Sequence, residues 1–152
     1  MAAIVIVDTS ILTNVLNVPG FNQDRADVVL QFECHIAAGD NLLLPMAAVF
    51  ETGNHIAHIA DGRVRRRSAQ AFVQSVKQAI NDEAPWKPIK MPTLDELNGW
   101  LDDFPDSAMR GAGMGDLSIF HSWREQCERF PARRVLVWSL DEHLQAFDRD
   151  PI

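Results

Sequence analysis

The chain has 152 residues, and its 21 acidic residues outnumber its 14 Lys and Arg residues, so the formal net charge is −7. This length and the 47% apolar composition are typical of one globular domain. We therefore expect a single domain over residues 1–152 and exclude a disordered chain. The acidic balance argues against a general nucleic-acid coat protein and a polybasic membrane binder. It does not exclude a nuclease, because net charge does not say where the charges lie.

The cysteines and the N-terminus exclude further classes of protein. Cys34 and Cys127 belong to no C-x-x-C pair, so no zinc or redox motif is present. The first apolar run follows no basic residue and is interrupted by Asp8, so we expect no signal peptide. No segment approaches the ~20 apolar residues of a membrane span. We expect a cytoplasmic protein that makes no contact with a membrane.

Short apolar runs alternate with amphipathic segments along the first half of the chain. The β-branched run Ala2–Val7 predicts a strand buried on both faces. A short helix is expected to follow as far as Val18, before Pro19 and Gly20. The next predicted elements are a helix over Asn22–Ala38, a strand over Leu42–Leu44 and a helix over Met46–Ala60.

The second half continues the alternation, with several proline and glycine breaks. Gly62 separates the preceding helix from a fourth one, whose apolar period runs from Ala69 to Ile80. Three prolines around Trp86–Met91 indicate an edge strand or a loop. The Thr93–Glu96 capping box begins another helix. The remaining predictions are a loop over Pro105–Gly115, a helix over Asp116–Phe130, a strand over Val135–Trp138 and a helix over Asp141–Phe147.

This alternation of helices with near-continuous apolar strands predicts an α/β fold. We expect a three-layer α/β/α sandwich with a central parallel sheet of four to five strands.

Four acidic residues follow the predicted strands or begin the predicted helices. Asp8 and Asp141 come after the first and last clear strands, Asp116 begins the long helix, and Glu51 lies near the start of the helix after the second strand. Sites in parallel sheets form at the carboxyl ends of the strands. Each aspartate is also a common helix-capping residue, and Glu51 also fits a solvated helix face. The shared location at one sheet edge is what favours a functional site.

Convergence of these carboxylates has an electrostatic consequence. Two like charges ~4 Å apart repel by roughly 4 kcal/mol at an effective dielectric near 20. Either some of the carboxyl groups are protonated or a cation lies among them. Oxygen ligands without a His or Cys cluster favour Mg²⁺ or Mn²⁺. Such a site typically activates water for in-line displacement at a phosphodiester.

Four segments in order resemble the acidic blocks of PIN-domain nucleases, including VapC-type toxins of toxin–antitoxin pairs: IVIVDTSIL, FETGNHI, GMGDLSIF and VLVWSLDEHLQAF. The resemblance implies a Mg²⁺- or Mn²⁺-dependent ribonuclease that cleaves single-stranded or looped RNA. It further implies a homodimer and an antitoxin partner. By the same resemblance, Asp8 and Asp116 bind metal directly, Glu51 binds it directly or through water, and Asp141 completes the catalytic site.

Further residues have supporting roles under this hypothesis. Ser10 and Ser139 match family positions with a hydroxyl group that orients a carboxylate or a water molecule. Arg63 and Arg67, on one face of a predicted helix, and Arg110 beside a glycine-rich segment are candidate RNA contacts. A solvated, ion-paired helix face explains the arginine run equally well.

Several alternatives remain open from the sequence. The chain is either a nuclease or a catalytically silent PIN-like scaffold that binds a partner. A phosphatase with Asp8 as nucleophile is less favoured, because that chemistry needs a second acid where Ser10 stands. His55 shares a face with Glu51, but two ligands leave a zinc site incomplete. Trp86 is either a core residue or an exposed base-stacking residue.

Overall fold

The computed structural model describes residues 1–152 and contains a five-stranded sheet in the order β3-β2-β1-β4-β5. The strands are β1 (Ile4–Val7), β2 (Asn41–Leu44), β3 (Trp86–Pro88), β4 (Val135–Trp138) and β5 (Asp148–Arg149). The first four are parallel to their neighbours, and β5 pairs antiparallel with β4. The predicted sandwich is confirmed, with one short antiparallel edge strand that was not predicted.

Seven helices connect and cover these strands. They are α1 (Thr9–Val15), α2 (Arg25–Ala37), α3 (Met46–Ala57), α4 (Gly62–Ile80), α5 (Leu94–Met109), α6 (Met114–Arg129) and α7 (Glu142–Gln145).

Both faces of the sheet are covered, which explains the continuous apolar strands. On one face, Val5 and Val7 pack with residues of α1, α2 and α4. On the other, Ile6 packs with Ile119 of α6 and Leu144 of α7. Every residue of β1 is buried. Successive side chains of β1 point to opposite faces of the sheet, so this one strand contributes to both cores.

Trp86 belongs to the core. Its side chain is 3% exposed and packs in the larger cluster, with its ring centroid 5.3 Å from that of Phe32. The prediction of an edge strand here is confirmed, whereas the base-stacking alternative for Trp86 is wrong, because the ring turns inward from the edge.

The predicted loop over Pro105–Gly115 is wrong at both ends, and the helix predicted from Asp116 begins two residues earlier. α5 continues through Pro105 to Met109, and α6 begins at Met114. The capping box at Thr93 and Glu96 is confirmed by both of its hydrogen bonds. The packing of α5 on α6 keeps the chain helical across the proline.

Candidate functional site

The carboxyl ends of β1 and β4 lie side by side at the centre of the sheet. The backbone N–H of Asp8 donates to the carbonyl of Trp138 at 3.0 Å, which joins the two strand exits. Asp8 therefore lies next to the Ser139–Asp141 segment, although the two are far apart in sequence. Sites in parallel sheets are built at this edge.

Asp8 occupies the N-cap position of α1, yet its side chain makes no capping hydrogen bond. Its Oδ2 instead accepts from the hydroxyls of Ser139 at 2.7 Å and Ser10 at 3.0 Å. The residue is only 6% exposed, and no protein group donates to its Oδ1. Helix capping therefore does not account for this aspartate, which is held in one orientation with one oxygen free for a ligand.

The hydroxyls of Ser10 and Ser139 also accept hydrogen bonds from the backbone that follows β4. Ser139 Oγ accepts from the backbone N–H of Asp141 at 2.9 Å, and Ser10 Oγ accepts from that of Leu140 at 3.0 Å. Each hydroxyl has one hydrogen, and each uses it on Asp8. The 3.4 Å approach of the two hydroxyls is therefore a contact and not a third hydrogen bond. The sequence prediction that these serines orient a carboxylate agrees with this bonding.

Glu51 lies on α3 and is connected to the same region by Thr9. The Thr9 hydroxyl donates to Glu51 Oε2 at 3.0 Å, and the other oxygen, Oε1, lies 3.6 Å from His55 Nε2. The Glu51 side chain is 52% exposed. Sequence reasoning missed Thr9, although its position directly after Asp8 was a usable signal.

Asp116 and Asp141 differ in their bonding. Asp116 lies in the first turn of α6, is half-buried and makes no side-chain hydrogen bond. Asp141 is exposed and caps α7, accepting from the backbone N–H of His143 at 2.9 Å. The capping explanation therefore holds for Asp141, whose second oxygen remains available.

The electrostatics of Asp116 connect all four acids. Its pKa is raised, first by burial and then by the negative charges of Asp8, Asp141 and Glu51, while His143 acts in the opposite direction. A neighbouring carboxylate raises the pKa of an acid because it disfavours a second negative charge. The four carboxylates are thus within electrostatic range of a common region.

Electrostatic range is longer than coordination distance. No group of three His, Cys, Asp or Glu side chains is close enough to hold a metal ion as arranged. The donor set itself, with carboxylate and hydroxyl oxygens and the free Oδ1 of Asp8, has the chemistry that Mg²⁺ or Mn²⁺ prefers.

The three arginines predicted to contact RNA lie outside this cluster. Arg63 and Arg67 are exposed on α4, and Arg110 is exposed just after α5. None of them forms an ion pair or a side-chain hydrogen bond within the protein. Their charges remain available to a polyanion.

No model of a known protein family matches this chain, and no curated protein is significantly similar to it. None of the helices combines the length and the apolar content needed to span a bilayer. The resemblance to PIN-domain nucleases therefore depends on the four acidic segments and remains a prediction.

Proposed function

We propose that the chain is a divalent-metal-dependent endoribonuclease of the PIN type and the toxin of a toxin–antitoxin pair. The strongest support is the carboxylate of Asp8, which stands at a helix N-cap, makes no capping bond and is held by two serine hydroxyls instead. An arrangement that serves only helix stability would use the side chain as a cap.

In this proposal Asp8 and Asp116 hold Mg²⁺ or Mn²⁺, with Glu51 and Asp141 completing the set. The bound ion would lower the pKa of a water molecule and offset negative charge on the phosphate. The protein's own contribution is orientation. Ser10 and Ser139 orient the carboxylate of Asp8, and Thr9 orients that of Glu51, as hydrogen-bond donors behind metal ligands commonly do.

The substrate and partners follow from charge. Arg63, Arg67 and Arg110 would hold RNA phosphates, because guanidinium groups bind phosphate oxygens well. An antitoxin segment with basic side chains would pair with these four carboxylates and exclude RNA. The homodimer expected from the resemblance is part of the same proposal.

Cleavage of single-stranded RNA tests the proposal. We expect the wild type to cleave in Mn²⁺ and to be inactive in EDTA. Asp8→Asn and Asp116→Asn should each lower the rate by at least about 10²-fold, since each removes a charge that the cation needs. Asp102→Asn, which removes an exposed charge on α5, is the matched control and should cleave normally.

Full activity in both Asp8→Asn and Asp116→Asn would overturn the catalytic assignment. A wild type that binds a partner protein, yet neither binds Mn²⁺ by calorimetry nor cleaves RNA, would instead favour the scaffold alternative.

A further inference from the structure

An aromatic pair stands beside the acidic residues and has no role in the proposed chemistry. The rings of Phe21 and His55 stack with centroids 4.1 Å apart and an interplanar angle of 23°. Phe21 is 38% exposed, so part of its ring is accessible to a ligand. The pair borders a cavity of about 520 Å³, a size typical of small-ligand sites.

Unused hydrogen-bonding groups line the same cavity. Besides the two rings, Asn54 and His58 contribute to its wall. His58 Nδ1 lies 2.7 Å from the backbone carbonyl of Asn54, and because a carbonyl only accepts, Nδ1 carries a proton. Its Nε2 is then an acceptor in the neutral ring. The Asn54 side chain makes no hydrogen bond within the protein and offers both a donor and an acceptor.

The position of the cavity connects it to the acids on one side and to the arginines on the other. His55 Nε2 lies 3.6 Å from Glu51 Oε1, so the stack adjoins the acidic cluster. Ile59 and Ala60 also line the cavity, and they are followed by Asp61, the N-cap of α4, and by the exposed Arg63. No Lys, Arg, Asp or Glu lines the cavity itself, which disfavours a phosphate or a cation as its ligand.

We propose that this cavity binds a nucleobase of single-stranded RNA, next to the phosphate presented to the acidic residues. This inference rests on the proposed ribonuclease function. The two rings are already in contact, so a base would extend the stack from the cavity side and not enter between them. Asn54 and His58 would meet the polar edge of the base, as amide and imidazole groups do in single-stranded RNA recognition.

Binding of a fluorescein-labelled RNA oligonucleotide in EDTA tests the inference without cleavage. Phe21→Leu keeps an apolar side chain and removes the aromatic face, so we expect its affinity to fall by about 5- to 150-fold, the range for loss of one stacked base. Phe21→Trp should bind at least as tightly as the wild type. Phe50→Leu removes a 62% exposed ring on α3 outside the cavity and should change nothing.

An abasic RNA of the same length identifies the group that is bound. The wild type should bind it about as weakly as Phe21→Leu binds the normal RNA, and Phe21→Leu should not distinguish the two. Two results would overturn the base site. One is equal affinity of Phe21→Leu and the wild type for normal RNA, and the other is an equal fall in affinity caused by Phe21→Leu on normal and on abasic RNA. A wild type that binds RNA through Phe21 but does not cleave it in Mn²⁺ would overturn the nuclease alone, whereas cleavage in Mn²⁺ together with equal RNA binding by Phe21→Leu and the wild type would overturn the base site alone.

Discussion

Asp8 and Asp141 both occupy N-cap positions, and their side chains bond differently. Asp141 accepts from a backbone N–H of α7, while Asp8 accepts from the hydroxyls of Ser10, in the first turn of α1, and Ser139, which follows β4. These hydroxyl donors replace the backbone N–H groups of α1 as partners of the buried carboxylate. A charge-assisted hydrogen bond contributes about 1.5–3 kcal/mol, which is enough to replace a cap.

At the residue scale, the raised pKa of Asp116 predicts a stability change with a definite sign. Burial and the charges of Asp8, Asp141 and Glu51 raise this pKa. The contribution of the group to stability is therefore present below its ordinary pKa and is lost as the pH rises through the raised value. Asp116→Asn should consequently melt at a higher temperature than the wild type at pH 7 in EDTA, and the difference should vanish below about pH 4.

Thermal melts with and without Mn²⁺ check this prediction. Mn²⁺ at 100 times its dissociation constant should add about 2.7 kcal/mol to the stability of the wild type and much less to that of Asp116→Asn. Asp102→Asn serves as the control and should follow the wild type. A lower melting temperature of Asp116→Asn at pH 7 would contradict the electrostatic origin of the shift.

At the scale of one element, α5 shows how packing overcomes a local signal. Proline in a helix interior removes a hydrogen bond and disfavours helix in the preceding residue, yet α5 continues past Pro105. Residues on both sides of it are anchored. Before the proline, the ring of Trp100 stacks on that of His121 with an interplanar angle of 10°, and Asp103 Oδ2 lies 3.1 Å from His121 Nε2. After the proline, Ser107 is buried.

Replacing this proline should therefore stabilise the protein. Pro105→Ala restores an N–H that can donate to the carbonyl of Leu101, offset in part by the greater freedom of the unfolded chain. We expect a gain of about 1–2 kcal/mol, below the full cost of roughly 3 kcal/mol for a helix-interior proline. Urea unfolding measures the change. Pro131→Ala, in an exposed loop, should be neutral or slightly destabilising, and a loss of stability in Pro105→Ala would show that its ring is needed for packing.

At the scale of the whole molecule, two helices carry charges of opposite sign. α5 carries only acids among its charged residues, and α4 carries only cations: Asp95, Glu96, Asp102, Asp103 and Asp106 on the first, and Arg63, Arg65, Arg66, Arg67 and Lys77 on the second. A net charge of −7 therefore coexists with one surface that attracts a polyanion. Under the proposed function, RNA should approach from the side of α4.

The salt dependence of RNA binding tests this orientation. Under the proposed function, the double variant Arg63→Ala/Arg67→Ala should lower the slope of log affinity against log salt by about 1.4, since each contact with single-stranded nucleic acid contributes about 0.7. Arg124→Ala, which removes an exposed charge on α6 paired with Glu128, should leave the slope unchanged. An unchanged slope in the double variant would place the RNA elsewhere.

The sequence by itself determined the features that depend on neighbouring residues. Continuous apolar runs, helical spacing, the Thr93 capping box and the positions of the acids were sufficient to predict the sandwich and the edge where Asp8, Asp116, Asp141 and Glu51 lie. These signals are local, because a strand, a cap or a strand exit is encoded within a few residues.

Only the tertiary structure decided how those residues are bonded. The bonds from Ser139 to Asp8 and from Thr9 to Glu51, the stack of Phe21 on His55, the pairing of β5 with β4 and the helix across Pro105 all depend on partners brought together by strand order and helix packing. Sequence spacing carries no information about such partners, since their approach is fixed only when the strands pair and the helices close over them. For the same reason, the sequence alone does not distinguish Asp141, which caps a helix, from Asp8, whose side chain bonds to two serine hydroxyls instead.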